Sequence, residues 1–444
     1  MSRIRITIQV IAILLLSIFL LWPAVLSHLN FIFMINMLMM PVAAVSSLTI
    51  ITGLAFTLSI TFLTLIFGRF FCGWICPLGS FIDLVDKVVD RSPKLIKAKK
   101  IKYYLLFIFL VLAAGGVSVA WLLDPISWVA RTAGTLIRNT PQLKIVILFI
   151  IFLVLFSVFT GRRGFCRILC PLGAISALVA RYSHFSMKHK NSCSQCGTCA
   201  QHCRMAALNP ENMNFDKTEC IQCRTCIDNC KTNSIEFNYS RSEATPALFS
   251  SRRSALASLG AGIVSISSLR AFADFTPQRH HLRPPGAKPE EIFNNLCIRC
   301  NSCVQACPTG GLVAQTTGVD AVQILTPVLS GKKGGCEYDC NACGKVCPSG
   351  AITHLPLHEK HKTVIGFARL YKNRCIPYMA RKSCLACYAA CPVQAIRLKR
   401  GHDQLPWGDP LQLPYIDPDL CIGCGLCEAA CPVKNPAVKV YPIP

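Results

Sequence analysis

The sequence predicts a chain of two unlike parts: an α-helical membrane-spanning domain, then small cysteine-rich modules of α+β type. Three observations carry this. Hydrophobic residues make up 52% of the 444 positions and the mean hydropathy is +0.44, above the balance of a soluble domain. The most apolar residues are gathered into four runs before residue 161. All 28 cysteines fall in short, recurring spacings, which is the pattern of metal or cluster ligation and not of a disulfide framework. In so apolar a chain, the net charge of +24 reads as basic loops drawn to anionic lipid headgroups. No nucleic-acid partner is expected.

The four runs are residues 8–26, 47–67, 103–123 and 143–160, each near the ~20 residues that cross a hydrocarbon core. Charge orients them. Arg3 and Arg5 precede the first run, and residues 68–102 carry eight Lys or Arg. Residues 27–45 carry none, and residues 124–141 have Arg131 and Arg138 alone. The positive-inside rule then places both ends of this domain, residues 1–182, in the cytoplasm. Residues 30–40 are apolar but too short to cross, and are expected to lie at the interface.

Two related segments follow the second and fourth runs, GRFFCGWICPLGSFIDLV from Gly68 and GRRGFCRILCPLGAISALV from Gly161. Each contains C-x3-C-P-L-G, at Cys72/Cys76 and Cys166/Cys170, so the domain is a repeat of two hairpins. The spacing sets two thiols one helical turn apart, and the proline redirects the chain. Two readings stay open: a packed turn with inert thiols, or four thiolates converging on one further redox centre. His184, Asp83 and Asp86 read as solvated boundary groups. No C-x-x-C-H occurs and the apolar runs hold no histidine, so haem is not expected.

Residues 183–240 are polar and contain Cys193, Cys196, Cys199 and Cys203, then Cys220, Cys223, Cys226 and Cys230. This is the two-cluster bacterial-ferredoxin spacing, in which three thiolates from one loop hold a cube and the fourth serves the other cube. The spacing groups Cys193, Cys196 and Cys199 with Cys230, and Cys220, Cys223 and Cys226 with Cys203. Residues 241–290 form a linker. Within it, residues 251–273 (SRRSALASLGAGIVSISSLRAFA) hold Arg252 and Arg253, an uncharged stretch, and a small-x-small end at Ala271 and Ala273. That is the order of a twin-arginine export signal, placed inside the chain; the plainer alternative is a linker helix. Either a cleaved signal or a retained anchor is compatible with it.

Residues 291–444 carry four more groups. Cys297, Cys300, Cys303 and Cys307 keep the standard spacing, as do Cys421, Cys424, Cys427 and Cys431. The groups Cys336, Cys340, Cys343, Cys347 and Cys375, Cys384, Cys387, Cys391 widen the first gap. Six 4Fe-4S clusters are therefore expected on these 24 cysteines, and no cysteine is left over for a disulfide or a nucleophile.

Residues 1–240 resemble the NapH family of four-span ferredoxin-type membrane proteins. The remainder resembles the NapG/MauM family of exported four-cluster ferredoxins, twin-arginine leader included. The resemblance implies an inner-membrane, multi-pass quinol dehydrogenase component with residues 183–250 cytoplasmic and 274–444 periplasmic. It would draw on membrane lipid and the quinol pool and deliver electrons to a periplasmic cytochrome or molybdenum reductase, nitrate reductase foremost. Similarity to the electron-transfer subunits of molybdenum reductases implies a pairing of the first group with the fourth and the second with the third. Cys431 would then complete Cys297/Cys300/Cys303, Cys307 would complete Cys421/Cys424/Cys427, Cys391 would complete Cys336/Cys340/Cys343, and Cys347 would complete Cys375/Cys384/Cys387. No nucleotide loop or substrate-turnover site accompanies these motifs. The rival readings are a redox maturation or sensing factor, and a polyferredoxin fed by a soluble cytoplasmic donor.

Overall fold

The computed structural model describes residues 2–21, 54–89, 96–114, 119–138, 143–209, 213–239, 252–275, 280–316, 323–404 and 410–443. They form two compact units that part between Ala271 and Phe272. The expected interfacial segment 30–40 and the start of the second apolar run lie outside the described residues.

The first unit begins with helices α1 (Ser2–Leu21), α2 (Leu54–Phe67), α3 (Phe70–Trp74), α4 (Pro77–Val89), α5 (Ile101–Ala114), α6 (Pro125–Arg138), α7 (Leu143–Thr160), α8 (Gly164–Ile168) and α9 (Pro171–Ala180). Helix α7 coincides with the fourth apolar run, and α1, α2 and α5 each overlap part of the first three. Among the described residues α7 alone is long and apolar enough to cross a membrane by length and composition. The third run does not continue as one helix to residue 123, because a 3₁₀ turn at Ala120–Leu122 leads into α6. Residues 124–141 hold amphipathic helix α6 where a loop was expected. Its Arg131 is buried, with its guanidinium 4.9 Å from the Trp121 ring and 5.1 Å from the Trp128 ring, so cation–π contact replaces the hydration assumed for a loop charge.

Each C-P-L-G segment makes the same local structure. The proline opens a helix at its first position, where a missing N–H costs nothing. In the second repeat Cys170 caps α9, its Sγ accepting the Gly173 N–H at 3.3 Å. The hairpins also exchange partners: α2 of the first packs on α9 of the second, and α4 of the first packs on α7 of the second. The two cysteine turns are thereby brought together.

After α9 come β1 (Phe185–His189), α10 (Thr198–Gln201), α11 (Thr225–Asp228) and β2 (Ile235–Tyr239). The two strands pair antiparallel with Phe185 opposite Tyr239. Their core is Met187, Cys199, Ala200, Leu208 and Ile235. Helix α12 (Arg252–Phe275) carries the arginine pair and runs unbroken through Ala271 and Ala273. It lies close to α5, since a Cβ on Gly262 would meet Val111 at 2.8 Å.

The second unit contains α13 (Glu290–Leu296), α14 (Ser302–Ala306), β3 (Leu312–Ala314), β4 (Pro327–Leu329), α15 (Ala342–Lys345), α16 (Leu357–Lys360), β5 (Gly366–Leu370), α17 (Ile376–Ala380), α18 (Ala386–Ala389), β6 (Ile396–Gln404), β7 (Pro410–Ile416), α19 (Leu426–Ala429) and β8 (Val438–Pro442). Its described strands pair two by two, β3 with β4, β5 with β8 and β6 with β7. Two-stranded ribbons are marginal alone. Cysteines fill the space between them: Cys387 and Cys427 share one core with Ile396 and Val438.

Candidate iron–sulfur centres

The standard cysteine loops share a backbone signature. The residue before the second cysteine has positive φ in each, at Gln195 (51°), Gln222 (53°), Arg299 (54°) and Gly423 (75°). So does the residue after it, at Gly197, Arg224, Asn301 and Gly425. Two left-handed residues coil the loop tightly, which points peptide N–H groups and three sulfurs to one side. In the two widened groups the residue after the second cysteine, Asn341 or Leu385, has φ of −127° or −115° instead.

Two sulfur sets line hollows directly. Cys203, Cys220, Cys223 and Cys226 line one, and Cys391, Cys421, Cys424 and Cys427 line the other. Mutual electrostatics mark the other sets. Burial first, then Cys300, Cys297 and Cys347, pushes the Cys303 thiol up. Burial, then Cys336 and Cys340 with a smaller push from Cys307, takes Cys343 to about 12. Burial raises Cys375, with Cys384 and Cys431 adding to it. Cys230 lies within electrostatic reach of Cys196.

The pairing of the second array implied by the reductase resemblance is corrected by these neighbours. Cys347 joins Cys297/Cys300/Cys303, and Cys307 joins Cys336/Cys340/Cys343. Cys431 joins Cys375/Cys384/Cys387, and Cys391 joins Cys421/Cys424/Cys427. Groups adjacent in sequence exchange their fourth cysteine because their helices pack in pairs, α14 on α15 and α18 on α19.

The sets suit cubane clusters. Five of the six fourth sulfurs also receive a peptide N–H from just downstream: Ala207 to Cys203 at 3.2 Å, Ser234 to Cys230 at 3.4 Å, Ile352 to Cys347 at 3.4 Å, Ala395 to Cys391 at 3.2 Å and Ala437 to Cys431 at 3.3 Å. Such N–H···S bonds stabilise the anionic sulfur of a reduced cluster and raise its potential.

The C-x3-C-P cysteines form a separate quartet. Burial first and then neighbouring cysteines push the thiols of Cys76 and Cys170 up, each having Cys72 and Cys166 among those neighbours, and Cys166 stands at about 11. Without a metal these groups stay protonated; a bound metal reverses that. Two arginines cross between the repeats. Arg163, three residues before Cys166, donates from Nη1 to the Cys72 carbonyl at 2.9 Å and lies over Gly79 of the first motif. Arg69, three residues before Cys72, lies over Gly173 of the second, its Nη2 3.0 Å from where a Cβ would be. Both are fully buried.

Asp83 and Asp86 are not solvated, as their boundary position suggested, but buried at 4% and 6% exposure. The physical reason is arginine. Arg163 donates to both Asp83 oxygens at 2.7 and 2.8 Å, Arg204 approaches at 2.8 Å, and Arg5 completes the cage. Burial opposes ionisation, yet Arg163, Arg5 and Arg204 hold the Asp83 carboxyl far below the usual range. Asp86 accepts the Arg163 N–H at 2.7 Å, and burial pushes it up to about 6. His184 is exposed.

The ferredoxin module is seated on this centre. A Cβ on Gly73 would stand 2.1 Å from the Ile221 carbonyl oxygen, and Trp74 Nε1 donates to the Gln222 carbonyl at 3.1 Å. Glu219 accepts from Arg69 at 3.1 Å and from Lys102 at 2.7 Å, and Lys99 pairs with Asp216 at 2.7 Å. Sequence reasoning missed Arg69, Arg163 and Glu219. The available signal was an arginine three residues before the first cysteine of both repeats. Arg253 is exposed on α12, with Arg252, Ala271 and Ala273 on the same helix.

Known families match these same segments. A model described as a 4Fe-4S binding domain matches residues 49–96 and again 144–190, one C-x3-C-P motif in each. A 4Fe-4S dicluster domain matches residues 296–351 and 380–435, and a further 4Fe-4S binding domain matches 217–233. The first dicluster match encloses two adjacent groups whole, and the second encloses the next two apart from Cys375. The methylamine utilization ferredoxin-type protein MauM of Methylophilus methylotrophus is 34% identical over 193 residues, 41% of this chain and 81% of that protein. The chain belongs to the NapG/MauM family of ferredoxin-type proteins. The ferredoxin-type protein NapG of Escherichia coli K12 is 36% identical over 167 residues, 36% of this chain and 71% of the relative. MauM of Methylorubrum extorquens is 34% identical over 164 residues. This NapG/MauM-type chain is a 4Fe-4S iron–sulfur electron-transfer protein.

Proposed function

We propose that the protein is a membrane-bound conduit that takes electrons from quinol and passes them to a periplasmic reductase. Nitrate reductase is the acceptor that the NapH/NapG resemblance implies. Six 4Fe-4S clusters would be held by the 24 ferredoxin-type cysteines, and the C-x3-C-P quartet would hold a further centre. A bound cluster supplies one-electron transfer and no bond-making. The chain's residues hold the sulfurs, exclude water and tune charge.

One observation carries the reading: within each unit the cysteine sets stand next to one another. The Cys336 N–H donates to the Cys424 carbonyl at 2.7 Å, so the two halves of the second array meet at their loops. In the first unit the loop of Cys220 and Cys223 rests on Gly73, next to Cys72. A chain of contiguous redox sites is what conduction needs and what a sensor with one reporting cluster does not.

Membrane residence is supported by the apolar surface of the first unit. Leu148, Leu155 and Phe159 of α7 are 67%, 52% and 72% exposed, and Leu58 and Phe62 of α2 are 65% and 63% exposed. Water would not tolerate such a belt, whereas lipid favours it. Under this reading Arg252 and Arg253 direct residues 274–444 to the periplasm, and the need to export folded, cluster-loaded domains accounts for a twin-arginine route.

The test is anaerobic stopped-flow mixing of the purified full chain with reduced quinol. Cluster absorbance bleaching within milliseconds to seconds is expected. Absence of bleaching by quinol, with dithionite bleaching intact, would remove the quinol step.

A further inference from the structure

We propose that Arg69 and Arg163, exchanged between the two repeats, supply the positive charge that stabilises the reduced state of a redox centre on Cys72, Cys76, Cys166 and Cys170. The inference deepens the conduit reading and rests on it. Each arginine starts in one repeat and ends over the glycine of the other repeat's C-P-L-G turn. The pair is therefore shared by the centre as a whole and does not belong to either hairpin. Neither arginine is on the surface: their exposure is 1% and 0%.

The counter-charges do not cancel them. Glu219 is shared between Arg69 and Lys102. Asp83 is shared among Arg163, Arg5 and Arg204, and Asp86 adds at most one further negative charge. Each side keeps a surplus of cations beside the four sulfurs, with Cys76 and Cys170 buried and Cys72 and Cys166 half-buried. One-electron reduction adds one negative charge to the centre and no atoms, the electron coming from the quinol of the reading above. Cations that are themselves buried stabilise that added charge more than solvated ones would. The centre is thereby set to accept electrons. Its next neighbour is the group on Cys220 and Cys223, whose loop touches Gly73 and whose Cys223 lies within electrostatic reach of Arg163.

The experiment is an anaerobic dithionite titration of the full chain, followed by EPR. The signal of the quartet is the one lost, with its iron, when Cys72, Cys76, Cys166 and Cys170 are all changed to Ser. Arg69→Gln, which leaves Glu219 paired with Lys102, is expected to disfavour reduction of that signal at least tenfold, 59 mV for one electron. Arg69→Lys should restore most of the shift. Glu219→Gln should move the signal in the opposite direction, so the test survives if Arg69→Gln fails to assemble. A quartet signal that stays within twofold of the parent in both Arg69→Gln and Glu219→Gln overturns the inference. So does a four-serine variant that keeps all its iron and signals. In that case the conduit reading still stands or falls separately, on quinol bleaching of the ferredoxin-type groups.

Discussion

Gly73 has no room for a methyl group. A Cβ there would lie 2.1 Å from the backbone oxygen of Ile221, and a backbone atom cannot swing aside as a side-chain end can. Gly73→Ala is expected to loosen the ferredoxin module from the quartet and cost about 1–3 kcal/mol, read as a lower melting temperature and weakened quartet-to-cluster reduction. Asp86 gives a pH prediction. Its folded pKa, about 6, is raised above the ordinary aspartate value of 3.8, so the folded state binds the proton more tightly. The contribution is fully present below about pH 4 and is lost as pH rises through 6. Stability should fall by no more than about 3 kcal/mol over that window, and the slope should vanish in Asp86→Asn while persisting in the parent. Neither acid could be read correctly from the sequence. A carboxylate next to an apolar run looks solvated when its partner, here Arg163, stands some eighty positions away.

The cysteine loops were legible for the opposite reason. In the four standard groups three of the four ligands lie within seven residues, so local spacing states their role, and the left-handed residues between them accompany that spacing. The fourth ligand is a tertiary fact. Its assignment depends on which helices pair, and α14 with α15 and α18 with α19 override the analogy to reductase subunits. Cys347→Ser and Cys303→Ser should therefore abolish the same EPR signal and each remove about four iron atoms per chain. Cys431→Ser should match Cys387→Ser in the same way. If Cys431→Ser instead removes the signal lost in Cys303→Ser, the adjacent-group pairing is wrong. Arg131 shows why helix α6 was not legible: an arginine against two tryptophans is indistinguishable in sequence from an arginine in water.

Taken over the whole chain, the apolar runs and the cysteine groups were legible because each is a contiguous segment with one dominant chemistry. What joins them was not, because it consists of single residues from distant segments: Arg5 to Asp83, Arg69 to Glu219, Arg204 to Asp83. The last two of these contacts bind the first ferredoxin module to the helices. The arginine pair of α12 begins that helix, and the two compact units part within it, at Ala271. An export machine that reads Arg252 and Arg253 would meet them on the side where residues 183–250 are held, with the folded second unit as passenger. Arg252→Lys together with Arg253→Lys keeps charge and helix but removes the paired guanidinium groups. The second unit should then stay on the cytoplasmic side. In intact spheroplasts a membrane-impermeant protease should degrade residues 274–444 in the parent and leave them protected in the double variant, while clusters and membrane association persist in both. Equal degradation in parent and variant would mean that α12 is a plain linker and that another element decides where the second unit resides.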